Sequence, residues 1–173
     1  MSKRELKKYI GELTKAQLQE QIVDLYDRFK NVKEYYNFAF NPNETKLLEE
    51  CKFKISKEYF PVNTRKPKMR RSVAQKFIKH FKTLGVEPSL IADVMLYNIE
   101  IAQAYSSEKL VKQDSFFVSM LKSFQEAVSY IYDNGLFKTM QPRIDKIVDE
   151  AVDQNWFNWK GFDAVLQAHG IQS

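Results

Sequence analysis

The sequence predicts an all-α protein. Apolar residues recur at spacings of three and four along nearly the whole chain, capping residues and glycines punctuate those runs, and no stretch alternates apolar with polar as a strand requires. With 173 residues, 44% apolar and 14% aromatic, the chain is long enough for one ordinary domain with a real core. Five Gly and five Pro, with no low-complexity tract, argue against a linker or a disordered tail. The expected architecture is a single domain over 1–173, a compact bundle of about seven to eight helices around a buried helix at about 88–106. A short stacked α-α array is the alternative. Three helices end in Gly followed by an apolar residue (Gly85-Val86, Gly135-Leu136, Gly170-Ile171), but the sequences between them do not match, which favours the bundle.

Taken in order, Ser2 with Glu5, Thr14 with Gln17 and Asn41 with Glu44 each place a capping oxygen three residues before an acid or amide. A short opening helix is followed by one long helix over about 14–39, with Leu18, Ile22, Leu25, Phe29, Val32 and Tyr36 on one stripe. Pro42 fits a first helical position, and the next helix, about 42–59, turns Leu47, Leu48, Cys51, Ile55 and Tyr59 inward until Pro61 stops it. An extended basic connection is expected at about 61–71, because Val62 to Arg71 lacks apolar periodicity and Pro67 holds Lys66 out of helical geometry.

A fourth capping box, Ser72 with Gln75, opens a helix ending at Gly85 in a left-handed conformation. Pro88 starts the central helix, whose apolar residues run almost all the way round, so other helices should surround it. A helix over about 113–133 ends at Asn134-Gly135. Pro142 suits the first turn of the next, which runs to about Gln154 with Asp145, Asp149 and Asp153 outward, and a last short helix begins near Asn158.

Charge is unevenly spread. Residues 52–82 hold eleven Lys or Arg against one acid, Glu58, while the remainder of the chain is net acidic. Arg70 and Arg71 stand just before a helix start, where the macrodipole already presents positive charge, so something negative should compensate them. The internal candidate, slightly favoured, has Arg65 to Arg71 lying across Asp93, Glu100 or Asp114 and pinning the connection to the bundle. That describes a helical scaffold or protein-interaction module with a concentrated basic surface. The alternative is non-sequence-specific RNA or phosphate-anion binding through 65–82, with Arg65, Lys66, Lys68, Arg70, Arg71, Ser72, Lys76 and Lys79 as the contacting residues. Tyr35, Tyr36, Phe53, Tyr59 and Phe60 would add stacking for single-stranded bases. An acidic protein or an anionic membrane surface would meet the same charges.

YYNFAFNP (35–42), KISKEYFPVN (54–63), KPKMRRSVAQKFIKHF (66–81) and PSLIADVMLYNIEIA (88–102) resemble a family of bacterial proteins of unknown function. The resemblance spans most of the chain and implies an all-helical, single-domain protein. It brings no reaction, ligand or catalytic residue with it.

Other function classes lack their signatures. His80 and His169 are far apart and without metal-site spacing, and there is no P-loop, GxGxxG or GxSxG motif. No catalytic residue, metal or cofactor is therefore assigned, and the chain is not expected to be an enzyme. Cys51 reads as a core thiol, and Asp145, Asp149 and Asp153 as a solvated face rather than a cation site. KFIKHFKTLGVEPSLIADVML has the outline of a helix-turn-helix, but its second helix offers no Lys or Arg to a major groove. MSKRELKKYIGEL lacks the apolar run of a secretory signal, no stretch approaches a membrane span, and a lone cysteine suits a reducing compartment, so a cytoplasmic protein is expected.

Overall fold

The structure is a computed structural model that describes residues 1–62 and 66–170. Among these residues there are nine α-helices and no strand. Contacts divide the chain into two compact units, Met1–Asn43 and Glu44–Ser173.

The first unit holds α1 (Lys3–Gly11), α2 (Lys15–Arg28) and α3 (Lys30–Phe40). Two of the three expected capping boxes form, Ser2 with Glu5 and Thr14 with Gln17, while Asn41 with Glu44 does not, because Asn41 ends α3 and the next helix begins only at Glu44. The single long helix expected over 14–39 is instead two helices, broken at Phe29, whose backbone is extended (φ −115°, ψ 112°). The break lets the chain turn back on itself. The Tyr26 hydroxyl donates to Asn37 Oδ1 at 3.0 Å, and the Tyr26 and Tyr36 rings lie 6.5 Å apart. A continuous helix would hold residues 26 and 37 about 16 Å apart, so the pairing of α2 with α3 overrides local periodicity. No residue of this unit is fully buried, and Ile22, Leu25 and Phe29 of the expected stripe remain exposed.

The second unit contains α4 (Glu44–Tyr59), α5 (Arg71–Leu84), α6 (Pro88–Glu108), α7 (Asp114–Asp133), α8 (Phe137–Asp153) and α9 (Lys160–Ala168). Helix α6 is its centre, packed against α4, α5, α7 and α8. Nine of its side chains are buried, among them Ile91, Val94, Met95, Leu96 and Ile99, as expected of a helix apolar nearly all round. Cys51, Ile55 and Tyr59, at every fourth position of α4, are also buried.

Glycine and proline behave as their chemistry dictates, with two shifts of boundary. Gly85 takes the left-handed conformation (φ 75°), and Val86 N–H donates to the Phe81 carbonyl at 3.1 Å while its side chain is buried. After α7, Gly135 is likewise left-handed (φ 68°) and the Leu136 amide donates to the Ile131 carbonyl at 2.9 Å, with the Leu136 side chain half-buried; Gly170 has φ 71°, while its follower Ile171 lies outside the described residues. Pro42 precedes α4 rather than opening it, since the helix begins at Glu44. Pro142 falls inside α8, because the Leu136 carbonyl already accepts from the Thr139 and Met140 amides and starts the helix earlier. The missing proline amide leaves the Lys138 carbonyl without its helical donor.

Polar groups join the helices where apolar packing ends. Arg143 on α8 grips Glu100 with Nε and Nη2 at 2.7 and 2.8 Å and reaches Asp93 Oδ1 with Nη1 at 2.7 Å. Lys52 on α4 bonds the other Asp93 oxygen at 2.6 Å. Burial opposes the Arg143 charge, but the two carboxylates outweigh it and raise its pKa above the ordinary arginine value. Gln103, buried on α6, donates to the Ile147 carbonyl at 2.7 Å. Where α7 meets α9, Gly161 lets the helices approach closely: a Cβ there would lie 2.6 Å from Leu121 Cδ2.

Candidate functional site

Within the basic segment, the residues from Lys66 on are tied to the C-terminal end of α4. The Lys68 and Met69 amides both donate to the Glu58 carbonyl, at 2.9 and 3.0 Å. This satisfies one of the carbonyls a helix end otherwise leaves open. Met69 adopts a left-handed conformation (φ 49°), an unusual one for a residue with a side chain, between the two residues that face Glu58. Arg70 then closes this attachment with parallel bonds from Nε and Nη2 to the two Glu58 carboxylate oxygens, both 2.8 Å. The Arg70 guanidinium holds the Glu58 carboxyl below its ordinary value, against the opposing effect of burial.

Arg71 points the other way. Its Nε donates to Ser123 Oγ at 2.8 Å and its Nη2 to Glu126 Oε2 at 2.5 Å, and Gln75 Nε2 joins the same carboxylate oxygen at 3.1 Å. This polar clamp ties the start of α5 to α7. It also corrects the capping expectation: α5 starts at Arg71, so Ser72 lies inside the helix and is exposed, Gln75 serves Glu126, and the cap position falls to Arg70, which makes no side-chain cap bond.

Both arginines are therefore paired within the fold, but with other acids than the sequence suggested. Asp93 and Glu100 are engaged by Arg143 and Lys52, and Asp114 sits exposed in the first turn of α7. Glu58 and Glu126 take their places. Sequence reasoning missed them because one is buried in a basic run and the other lies 55 residues away from its partner. The one available signal was Glu58 itself, the single acid among eleven cations.

The lysines are placed differently. Lys66 and Lys68 line a cavity of about 240 Å³ with Arg70, Glu58, Pro61 and Val62, and the structure adds Lys57, a cation outside the expected contact set. Lys76 and Lys79 are exposed on α5 and do not line it, and Arg65 lies outside the described residues. None of Lys57, Lys66, Lys68, Lys76 or Lys79 forms an ion pair among the described residues. The aromatic platform is not assembled as expected: Tyr59 is 1% exposed, Phe60 packs edge-on against Tyr105, and Lys57 sits 4.0 Å over the exposed Phe53 ring.

The remaining chemistry-bearing residues are structural in their surroundings. Cys51 is fully buried, and burial pushes its thiol up to about 12, beyond reach of thiolate chemistry at neutral pH. His169 Nδ1 lies 2.9 Å from the Val165 carbonyl, and its Nε2 lies 3.4 Å from Ser129 Oγ, which joins the end of α9 to α7. That contact was not legible in the sequence, since 40 residues separate the pair. Asp145, Asp149 and Asp153 are exposed along α8, and no group of three or more His, Cys, Asp or Glu among the described residues is arranged to hold a metal ion. Helix α6 lies at the centre of its unit, so it presents no recognition face to a DNA groove. No described helix is long and apolar enough to cross a membrane.

The fold defines a class, that of all-helical bundle proteins. The model of a family of unknown function, DUF6155, matches residues 1–170, and the chain belongs to that family. No curated protein and no solved structure matches it.

Proposed function

We propose that the protein is a non-catalytic helical scaffold, a protein-interaction module in which the arginines of the basic segment hold the fold and its lysines face a partner. The observation that carries this reading is the internal pairing of Arg70 and Arg71, the two cations standing at the start of α5. Cations engaged with Glu58, Ser123 and Glu126 are fold elements first. The exposed Lys76 and Lys79 on α5 supply a surface of one sign, and charge complementarity of that kind suits an acidic protein. Stacking of single-stranded bases is disfavoured by the burial of Tyr59, one of the five rings that would supply it.

The test is the double variant Arg70→Gln, Arg71→Gln in buffer free of phosphate and sulfate. Loss of both arginines strands the Glu58 and Glu126 carboxylates, so the melting temperature should fall. The matched control Lys76→Gln, Lys79→Gln should melt as the parent does. A double arginine variant as stable as the parent, or more so, would remove the structural role and with it this assignment.

A further inference from the structure

We infer that the concavity between the last turn of α4 and residues 66–70 binds a phosphate dianion, either the free anion or a phosphate monoester carried by a larger partner. The site goes beyond the scaffold reading and holds whether or not Lys76 and Lys79 meet an acidic protein. Its walls bring four cations, Lys57, Lys66, Lys68 and Arg70, around one acid, Glu58. That acid is already neutralised, because both its oxygens are held by Arg70. What remains is the field of three ammonium groups with no carboxylate of their own among the described residues. Arg70 Nη1 takes no part in the Glu58 pair and adds a planar donor of the kind suited to phosphate oxygens.

The cations are also positioned in advance. The paired amide bonds to the Glu58 carbonyl fix the backbone at Lys68 and Met69, and the left-handed Met69 sits between Lys68 and Arg70. Lys57 is steadied over the Phe53 ring. A ligand here gains from charges that need little rearrangement to meet it. Size decides the chemical class. At about 240 Å³ the cavity falls below the roughly 300–1,000 Å³ of sites that enclose drug-sized ligands, so it suits a tetrahedral anion rather than a whole nucleotide. Lys57, Lys66 and Lys68 are exposed at its rim, which leaves room for a phosphate tethered to something larger.

The experiment is a titration of the ¹⁵N-labelled full chain with inorganic phosphate, followed by amide chemical shifts at constant ionic strength with chloride as the balancing anion. Saturable shifts at Lys66, Lys68 and Met69 are expected, with a dissociation constant of about 1 mM or tighter. The variant Lys66→Gln, Lys68→Gln should lose at least tenfold in affinity while keeping its melting temperature. Lys76→Gln, Lys79→Gln should bind phosphate as the parent does, which separates this site from the scaffold surface. A short phosphoserine peptide that binds more tightly than inorganic phosphate assigns the tethered source, and equal affinity assigns the free anion. Linear shifts without saturation, or a pocket variant that binds phosphate as the parent does, would overturn the site. The inference would also fail if unphosphorylated single-stranded RNA moved these amides and phosphate did not.

Discussion

The two units carry the same kind of apolar stripe and treat it in opposite ways. Every fully buried apolar side chain among the described residues belongs to Glu44–Ser173, and Met1–Asn43 has none. Stripe quality does not explain this, since Ile22, Leu25 and Phe29 recur as regularly as Cys51, Ile55 and Tyr59. The number of neighbours does. Helix α6 is met by four other helices, whereas α2 packs mainly against α3 and touches α1 through the 2.7 Å bond from Gln21 to the Tyr9 hydroxyl, and so few short helices cannot enclose a side chain. Periodicity specifies a helix and the face it wishes to cover; burial is a property of what arrives to cover it.

The sharpest way to break the comparison is a carboxylate placed in each stripe. Met95→Asp, at a position 4% exposed on α6, should abolish cooperative unfolding in a thermal melt, because an unpaired charge would sit in the core. Ile22→Asp, at a position 43% exposed, should leave that melt nearly unchanged. Equal sensitivity of the two would show that the first unit depends on a closed core just as the second does.

Ion pairs extend the contrast at smaller scale. Arg143→Gln strands both Asp93 and Glu100 and should cost about 2–4 kcal/mol by chemical denaturation, somewhat under the range for fully buried pairs because Arg143 keeps 32% exposure. Arg28→Gln removes the exposed 2.7 Å pair with Asp24 one turn away, and roughly 0.5 kcal/mol is expected. An Arg28 effect as large as that of Arg143 would erase the distinction.

Acid titration follows the same division. Glu58 and Glu5 both have pKa values lowered from 4.5, the first chiefly by the Arg70 bonds and the second by the Ser2 backbone and hydroxyl. A carboxyl lowered in the folded state stabilises above its ordinary value, and that contribution disappears as pH falls from about 4.5 through the folded value. Glu58→Gln should therefore flatten the acid limb of the main unfolding transition, whereas Glu5→Gln should change only the helical signal of α1. The smallest effect is expected from Lys122→Asp on the exposed side of α7, within about 0.5 kcal/mol of the parent. A larger loss would mean that this face is covered.

Much of the fold was legible because its signals are local. The capping boxes at Ser2 and Thr14, the left-handed Gly85 and the apolar circumference of α6 each depend on residues a few positions apart. What was not legible depends on distant partners. The break at Phe29 has no glycine or proline to announce it and arises where α2 and α3 pair. Ser72 has every local qualification as a cap, yet Arg71 lies in the first turn of α5 and is tied to residues more than fifty positions away. At the candidate site the concentration of charge was visible and its division was not. Arg70 and Arg71, paired with acids of the fold, and Lys66 and Lys68, exposed without such a pair among the described residues, look alike until Glu58 and Glu126 are placed.

The meeting of α7 and α9 carries a different kind of information. Since any side chain at position 161 would occupy the space of the Leu121 methyl groups, the separation of those helices is recorded jointly in two residues 40 positions apart. Gly161→Ala alone must displace Leu121, and Leu121→Ala alone opens a gap, but in the double variant the new methyl at 161 enters part of the space that the Leu121 Cγ and Cδ carbons vacate. Their energies should be strongly non-additive, with the double variant closer to the parent than the sum of the singles allows. For sequences diverging from this one, a change at either position alters the space open to the other, so the two are expected to vary together.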